Sequence, residues 1–201
     1  MRPAVPHLIL ITALTLAACS TDVAATTTTD VAPLASLELA QDGLGDVLFG
    51  LDPETVVTDI SALFGAPDHD SSWITSEPNI YGTCPGELMR AIGWGSLVTI
   101  FIDDGESELG GFFYTYTYGY DYSENAGGID PRGLNLETAG GLGLGASVAD
   151  AERALGDLTI TGDDVLDVWS FTAAEAGFRG LVTGPDGPDT ITLIEPIEGC
   201  G

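Results

Sequence analysis

The chain has 201 residues, of which 44% are hydrophobic, and 31 acidic residues against five basic ones give it a formal net charge of −26 at pH 7. Such a charge repels nucleic acid and anionic lipid or cell-wall polymer, and it favours basic partners or divalent cations; an adaptation for solubility or high salt, or a general composition bias, is the alternative. The hydrophobic content excludes disorder for the body of the chain, and the length suits one substantial domain or two small ones.

The N-terminus has the pattern of a bacterial export signal. Arg2 precedes an apolar run from Leu8 to Ala18, which is shorter than the roughly 20 residues of a membrane-spanning helix but has the length of a signal-peptide core. Small residues then precede Cys19, and this order resembles the lipobox of bacterial lipoproteins. It predicts a signal peptide over 1–18, lipidation of Cys19 and an extracytoplasmic protein held on the lipid bilayer of the cell membrane. An ordinary secretory signal followed by a chance cysteine is the alternative.

Residues 19–36 are predicted to be a disordered tether between the lipid and the folded body. The segment is rich in Thr, Ala, Asp and Val, includes Thr26–Thr29, and has no apolar period. It cannot bury enough surface to offset the loss of chain entropy on folding.

Two short helices are the clearest predicted elements of the body. Asp52 and Ser147 are favourable N-cap residues, each followed by apolar positions at helical spacing. Gly65 and Gly156 then stand where each helix should end. The same order, a glycine, a cap, a short helix and a glycine stop, therefore occurs twice along the chain.

Strand-like segments with alternating or β-branched residues follow each predicted helix. Short Gly- and Asp-containing turns join them, which favours antiparallel pairing. The sequence therefore predicts an α+β fold of two tandem repeats, 37–124 and 136–201, joined by a linker over 125–135, with a short helix packed on an antiparallel β-sheet in each repeat. The predicted strands are Arg90–Trp94, Leu97–Ile102, Phe112–Tyr118, Val165–Trp169, Phe178–Thr183 and Thr190–Ile194.

The doubled helix-and-strand pattern resembles the modules of the β-lactamase inhibitor protein family and of the small outer-membrane assembly lipoproteins. The segments Tyr81–Gly86, Trp94–Gly95 and Glu198–Cys200 are also similar to uncharacterised exported lipoproteins of actinobacteria. The resemblance spans roughly 43–201 and implies a helix-loop-helix packed on an antiparallel sheet. It implies no binding residue, because no binding motif of the inhibitor family is matched.

The remaining cysteines form an even pair. With Cys19 assigned to lipid, Cys84 and Cys200 are expected to form a disulfide in an oxidising compartment. A two-cysteine metal site is the alternative, but it lacks a second pair of soft ligands nearby.

Few residues suit catalysis, so no catalytic residue, metal or cofactor is predicted. The chain has no lysine, and after signal cleavage its sole histidine is His69, which is expected to lie in a solvated loop between Asp68 and Asp70. The acidic segments Asp103–Glu106 and Gly162–Asp164 offer hard oxygen ligands, although turn chemistry explains both.

A row of aromatic residues is the predicted binding surface. Alternation from Phe112 onward would place the row on one face of a strand, and tyrosine favours sites with one wet end. Packing into the core is the alternative. The sequence thus predicts a non-catalytic module for an extracellular protein or glycan, with a calcium-dependent or carboxylate-based cell-envelope hydrolase as the alternative. The candidate residues are Tyr114, Tyr116, Tyr118, Tyr120 and Tyr122.

Overall fold

The structure is a computed structural model in which part of the chain is described. The predicted signal peptide, the lipidation residue Cys19 and the tether as far as residue 35 lie outside the described residues, as does the first residue of the predicted linker. The described residues are 36–106, 110–122, 126–163, 165 and 168–200.

Within those residues the chain is mostly β, with two α-helices and antiparallel strand pairing in its sheets. In chain order the elements are β1 (Leu39–Ala40), β2 (Gly43–Leu44), β3 (Val47–Leu48), α1 (Pro53–Phe64), β4 (His69–Asp70), β5 (Ile74–Thr75), β6 (Leu88–Trp94), β7 (Leu97–Asp103), β8 (Phe112–Tyr118), β9 (Tyr120–Asp121), β10 (Ala126–Gly127), α2 (Val148–Leu155), β11 (Thr159–Asp163), β12 (Val168–Ala173), β13 (Phe178–Val182) and β14 (Ile191–Pro196).

Both helices begin and end at the residues predicted from the sequence. The Asp52 carboxylate accepts a hydrogen bond from the backbone of the first turn of α1. At the start of α2, Ser147 and Asp150 form a reciprocal capping box. Gly65 and Gly156 follow the last helical residues with positive φ angles, a conformation that favours glycine.

A nine-stranded antiparallel sheet runs through both predicted repeats. Its order is β11-β12-β13-β14-β8-β7-β6-β4, and β5 also pairs with β6. The two halves meet where β14 pairs with β8, at Ile194 and Tyr118. The strands that were predicted to form two separate sheets therefore lie in a single sheet. Each half nevertheless has a helix followed by its own consecutive antiparallel strands.

The second half contains a strand that the sequence pattern did not predict. β11 covers Thr159–Asp163, and β12 covers Val168–Ala173 where a strand over 165–169 was predicted. In β11 Thr occupies the outward positions and Gly162 stands in place of an apolar residue on the other face, so the apolar period is weak. In β12 Trp169, Phe171 and Ala173 alternate with Ser170 and Thr172, so the strand runs beyond the predicted end. The sequence pattern did not predict the short strands β1 to β3, because two residues are too few to show an alternation of apolar and polar side chains.

The main hydrophobic core lies between the helices and one face of the sheet. Val56 and Ile60 of α1 and Val148 and Ala151 of α2 belong to one buried cluster with the large side chains of that face. We call this the helix face of the sheet. Phe101, Phe113, Tyr116, Tyr118, Phe171 and Phe178 contribute its rings.

A second, smaller cluster covers part of the opposite face. Met89, Val98 and Ile100 of β6 and β7 are buried there beneath Tyr81 and the Cys84 side chain. As predicted, Cys84 and Cys200 form a disulfide, which joins positions 116 residues apart. The bridge holds the 76–87 loop and the C-terminal segment together over this half of the sheet.

Candidate functional site

The aromatic row does not form one continuous surface, so this prediction is wrong for part of the row. In the pairing of β7 with β8, Ile100 lies opposite Thr115 and Phe101 opposite Phe113. Tyr114 is therefore an extra residue, and such a bulge resets the alternation of the strand. Phe113, Tyr116 and Tyr118 point into the helix-face core, whereas Phe112, Tyr114 and Tyr122 pack against the second cluster.

Tyr116 and Tyr118 are buried core residues rather than members of a binding surface. Their side chains are 0% and 1% exposed. The Tyr116 hydroxyl donates to the carbonyl of Ala40 at 2.9 Å, and the Tyr118 hydroxyl donates to a carboxylate oxygen of Asp130 at 2.9 Å. Burial raises the pKa of both hydroxyls well above the ordinary value of tyrosine.

Three tyrosines of the row remain partly accessible to solvent. Tyr114, Tyr120 and Tyr122 are half-buried. Tyr122 contacts two other rings, with its centroid 4.8 Å from that of Tyr81 and 4.7 Å from that of Tyr120. Burial raises the pKa of Tyr122 to about 12. The predicted surface is thus reduced to a small aromatic cluster at the margin of the second cluster.

The part of the sheet that neither the 76–87 loop nor the C-terminal segment covers is a more extended candidate surface. It is the face of β11 to β14 opposite the helices, and we call it the open face. Cross-strand pairing aligns its side chains in rows. Several of them line a shallow depression of about 350 Å³. The open face consists of Thr159, Thr161, Ser170, Thr172, Arg179, Leu181, Leu193 and Glu195.

An ion pair marks the end of the open face that adjoins the covered half. Arg179 Nε donates to Glu195 Oε1 at 2.8 Å, and Arg179 Nη2 donates to the carbonyl of Cys200 at 2.8 Å. The Arg179 and Glu195 side chains are 33% and 23% exposed. Burial raises the pKa of Glu195, and the neighbouring Arg179 opposes that rise. The pair therefore joins β13 and β14 to the disulfide-bonded segment.

The segment around His69 is ordered by specific contacts, which corrects the prediction of a solvated loop. His69 and Asp70 form β4 and pair with β6. The His69 Nε2 atom is hydrogen-bonded to the Tyr81 hydroxyl. The Asp70 carboxylate accepts two hydrogen bonds from the Arg90 guanidinium, one on each oxygen, and this bidentate ion pair lowers the pKa of the carboxyl. These contacts fix the edge of the sheet and the 76–87 loop.

The acidic turn after β7 satisfies its carboxylates locally. Asp103 and Asp104 accept hydrogen bonds from the backbone N–H groups of Gly105 and Glu106, two residues further on. Among the described residues, no group of three or more His, Cys, Asp or Glu side chains is arranged to hold a metal ion. Asx-turn geometry accounts for the acidic residues at this position.

Sequence reasoning missed the residues of the open face, although one signal was present. Arg179 is one of only five arginines and lies inside the strand Phe178–Val182, between apolar neighbours. A charge within such a strand indicates a special contact, here with Glu195. The other open-face residues are Thr, Ser and Leu, which carry no signature of their own.

Comparisons with known proteins do not place the chain in a family. Neither helix of the described region is long and apolar enough to cross a membrane. No family model, no curated protein and no solved structure matches the chain.

Proposed function

We propose that the chain is an extracytoplasmic lipoprotein, anchored in the cell membrane through acylated Cys19, whose body is a non-catalytic module that binds an extracellular protein or glycan. The observation that carries the binding part is the open face of β11 to β14. Among the described residues it is a solvent-accessible sheet surface, beside a half of the same face that the 76–87 loop, the disulfide and the C-terminal segment cover.

The chemistry of the open face suits binding better than catalysis. Leu181 is 36% exposed and pairs with the half-buried Leu193, so the centre of the face offers apolar area. Ser170 and Thr172 add hydroxyl groups beside it. An apolar centre with a polar surround is the usual anatomy of a recognition surface.

We also propose that the body arose as two tandem repeats. Each half has one helix whose start is capped by a side-chain carboxylate or hydroxyl, followed by consecutive antiparallel strands. The β-lactamase inhibitor protein modules that the sequence resembles imply a helix-loop-helix in each half, whereas each half has one helix among the described residues, so the proposal rests on the repeated order of elements. The two halves differ in one respect: the 76–87 loop, which covers part of the sheet, belongs to the first half.

A matched pair of leucine variants tests the binding surface. Leu181 on the open face and Leu48 on β3 are both exposed, at 36% and 48%. The full chain and its Leu181→Glu and Leu48→Glu variants would be used to capture partners from cell-envelope extracts and on a glycan array. We expect one protein or glycan to be lost with Leu181→Glu and kept with Leu48→Glu. A ligand kept by both variants would contradict the assignment of the open face, and failure of the unmodified chain to capture any protein or glycan would contradict the binding function.

Metabolic labelling with palmitate tests the anchor. We expect the unmodified chain to take up label and to fractionate with membranes, and the Cys19→Ser variant to lose both properties. A single acyl chain binds a membrane only marginally, and a second or third chain makes the anchoring stable. An unlabelled chain that remains in the cytosol would contradict the proposal.

A further inference from the structure

The nine-stranded sheet ends on one side in an unusually regular edge strand. β11 pairs with β12 over five consecutive residues, from Thr159 opposite Thr172 to Asp163 opposite Val168. All of its residues except Ile160 are exposed. Nothing in the described part of the chain pairs with its outer edge.

The other edge of the same sheet is built differently. There β4 and β5 are two-residue strands that each pair with a different part of β6. Very short edge strands, prolines, lysines and bulges are the devices by which proteins prevent an edge from pairing with another chain. Over its five residues β11 has no proline and no register shift, and its one charged residue, Asp163, stands at its last position. Over Thr159–Gly162 it therefore presents outward-facing N–H and C=O groups that pair with no other strand in the described part of the chain.

An aromatic ring lies next to this edge. Gly162 of β11 pairs with Trp169 of β12, and a Cβ atom built on Gly162 would lie 2.0 Å from the Trp169 ring. The indole therefore crosses over the edge strand in the space that the glycine leaves. Trp169 is half-buried and packs against the helix-face core. Its outer side offers apolar contact to the side chain of a strand added beside Gly162.

The net charge of the chain indicates which kind of partner strand would bind at β11. The chain carries a net charge of −26, and the exposed Asp157 and Asp163 stand just before β11 and at its end. A second copy of the chain brings an equal charge and is repelled, whereas a basic segment is attracted and steered toward the surface. We propose that β11 is a docking edge for an extended, lysine- or arginine-bearing segment of a partner protein, which adds as a further strand of the sheet.

Strand addition makes a prediction that surface docking does not. Main-chain hydrogen bonds supply the affinity, so only alternate N–H groups of the added strand face β11. The probe is a synthetic nonapeptide of alternating lysine and valine, added to the full chain in detergent solution. We expect slowed exchange of the outward-facing amides within Thr159–Asp163, those that do not donate to β12. N-methylation of one alternate set of peptide residues should weaken binding about tenfold, and N-methylation of the other set by less than about twofold.

A pair of charge-matched variants distinguishes the edge from the open face. Thr159 and Thr172 are cross-strand neighbours on the same face, one on the edge strand and one on the next strand inward. We expect Thr159→Lys to weaken binding of the lysine peptide several-fold more than Thr172→Lys. The reverse order, with changed amide exchange at Leu181 and Leu193 instead of β11, would overturn the proposal and assign the peptide to the open face.

Three measurements without the variants also decide the matter. Slow exchange of the outward-facing amides of β11, those that do not donate to β12, before any peptide is added would show that the edge is already covered, and would overturn the proposal. Sedimentation of the peptide-free chain as a dimer through β11 would assign the edge to a second copy and would overturn it as well. Equal binding of a glutamate–valine nonapeptide would contradict the proposed basic partner.

Discussion

At the scale of single residues, Tyr118 links the sheet to the segment that was predicted to be a linker. Its hydroxyl donates to Asp130 and accepts from the backbone N–H of Leu136 at 3.3 Å. Asp130 also accepts a hydrogen bond from the backbone N–H of Asn135. This buried network explains why a tyrosine rather than a phenylalanine stands at this position of the core.

Removal of the Tyr118 hydroxyl should therefore destabilise the fold. We expect Tyr118→Phe to lower the free energy of unfolding at pH 7 by about 1–3 kcal/mol, because buried hydrogen-bonding groups lose a partner. Urea unfolding measures the change. The half-buried Tyr114 provides the control, and Tyr114→Phe should change stability by less than about 0.5 kcal/mol. A Tyr118→Phe variant as stable as the unmodified chain would contradict the network.

The buried hydroxyls of Tyr116 and Tyr118 predict that the stability of the fold decreases at alkaline pH. Burial raises the pKa of Tyr116 and Tyr118 in the folded chain, so the unfolded chain releases these protons at lower pH. Their contribution is fully present below about pH 10, the pKa of unfolded tyrosine, and is lost as the pH rises above it. We expect the free energy of unfolding to fall above about pH 10, and to fall less steeply in Tyr118→Phe. Equal slopes in urea unfolding from pH 9 to pH 11 would contradict this account.

At the scale of elements, the bulge in β8 decides which rings are available for binding. The backbone of Phe113 beside the bulge is hydrogen-bonded to the segment before α1, since its N–H donates to Leu51 and its carbonyl accepts from Gly50, both at 2.8 Å. The chain before the helix thus pairs with one end of β8, and β14 pairs with the other. A strict two-residue period could not foresee this, because the extra residue is fixed by neighbours distant in sequence.

The disulfide acts on two elements at once. It fixes the 76–87 loop and the C-terminal segment over the second cluster. The Arg179 guanidinium adds a hydrogen bond to the carbonyl of Cys200. Both elements have little regular structure, so the covalent link adds to the hydrogen bonds of Tyr81 and Arg179 in holding them on the sheet.

Loss of the bridge should reduce stability strongly. The chain-entropy model gives about 5 kcal/mol for a closed loop of more than a hundred residues. We expect the Cys84→Ser/Cys200→Ser variant to lose stability of that order in urea unfolding, with faster amide exchange in the 76–87 loop and at the C-terminus than in α2. A loss of less than about 1 kcal/mol, or faster exchange confined to α2, would contradict this role.

At the scale of the whole molecule, net charge is the dominant feature. The excess of acids destabilises the folded chain through self-repulsion, which salt screens. We expect the melting temperature to rise between low salt and 0.5 M NaCl. At matched ionic strength, CaCl₂ and MgCl₂ should give equal melting temperatures if the acidic turn binds no calcium. An additional rise with calcium alone would show specific calcium binding, which the calcium-dependent alternative requires.

The sequence by itself determined both helices, the disulfide pair and the three long strands of the first half, β6 to β8. These depend on local chemistry: Asp52 and Ser147 as caps, Gly65 and Gly156 as stops, and an even number of cysteines once Cys19 is set aside. The export signal and the lipid anchor also come from the sequence, and they remain predictions.

Only the tertiary structure decided that one sheet joins both halves, that Tyr116 and Tyr118 are core residues, and that β11 is an edge. Each of these depends on contacts between residues far apart in sequence: the β8–β14 pairing, the bulge at Tyr114 and the absence of a further strand beside β11 in the described region. Local periodicity records which residues alternate along a strand. It does not record which neighbour each side of that strand will meet, and that neighbour decides whether a face is core, covered or open.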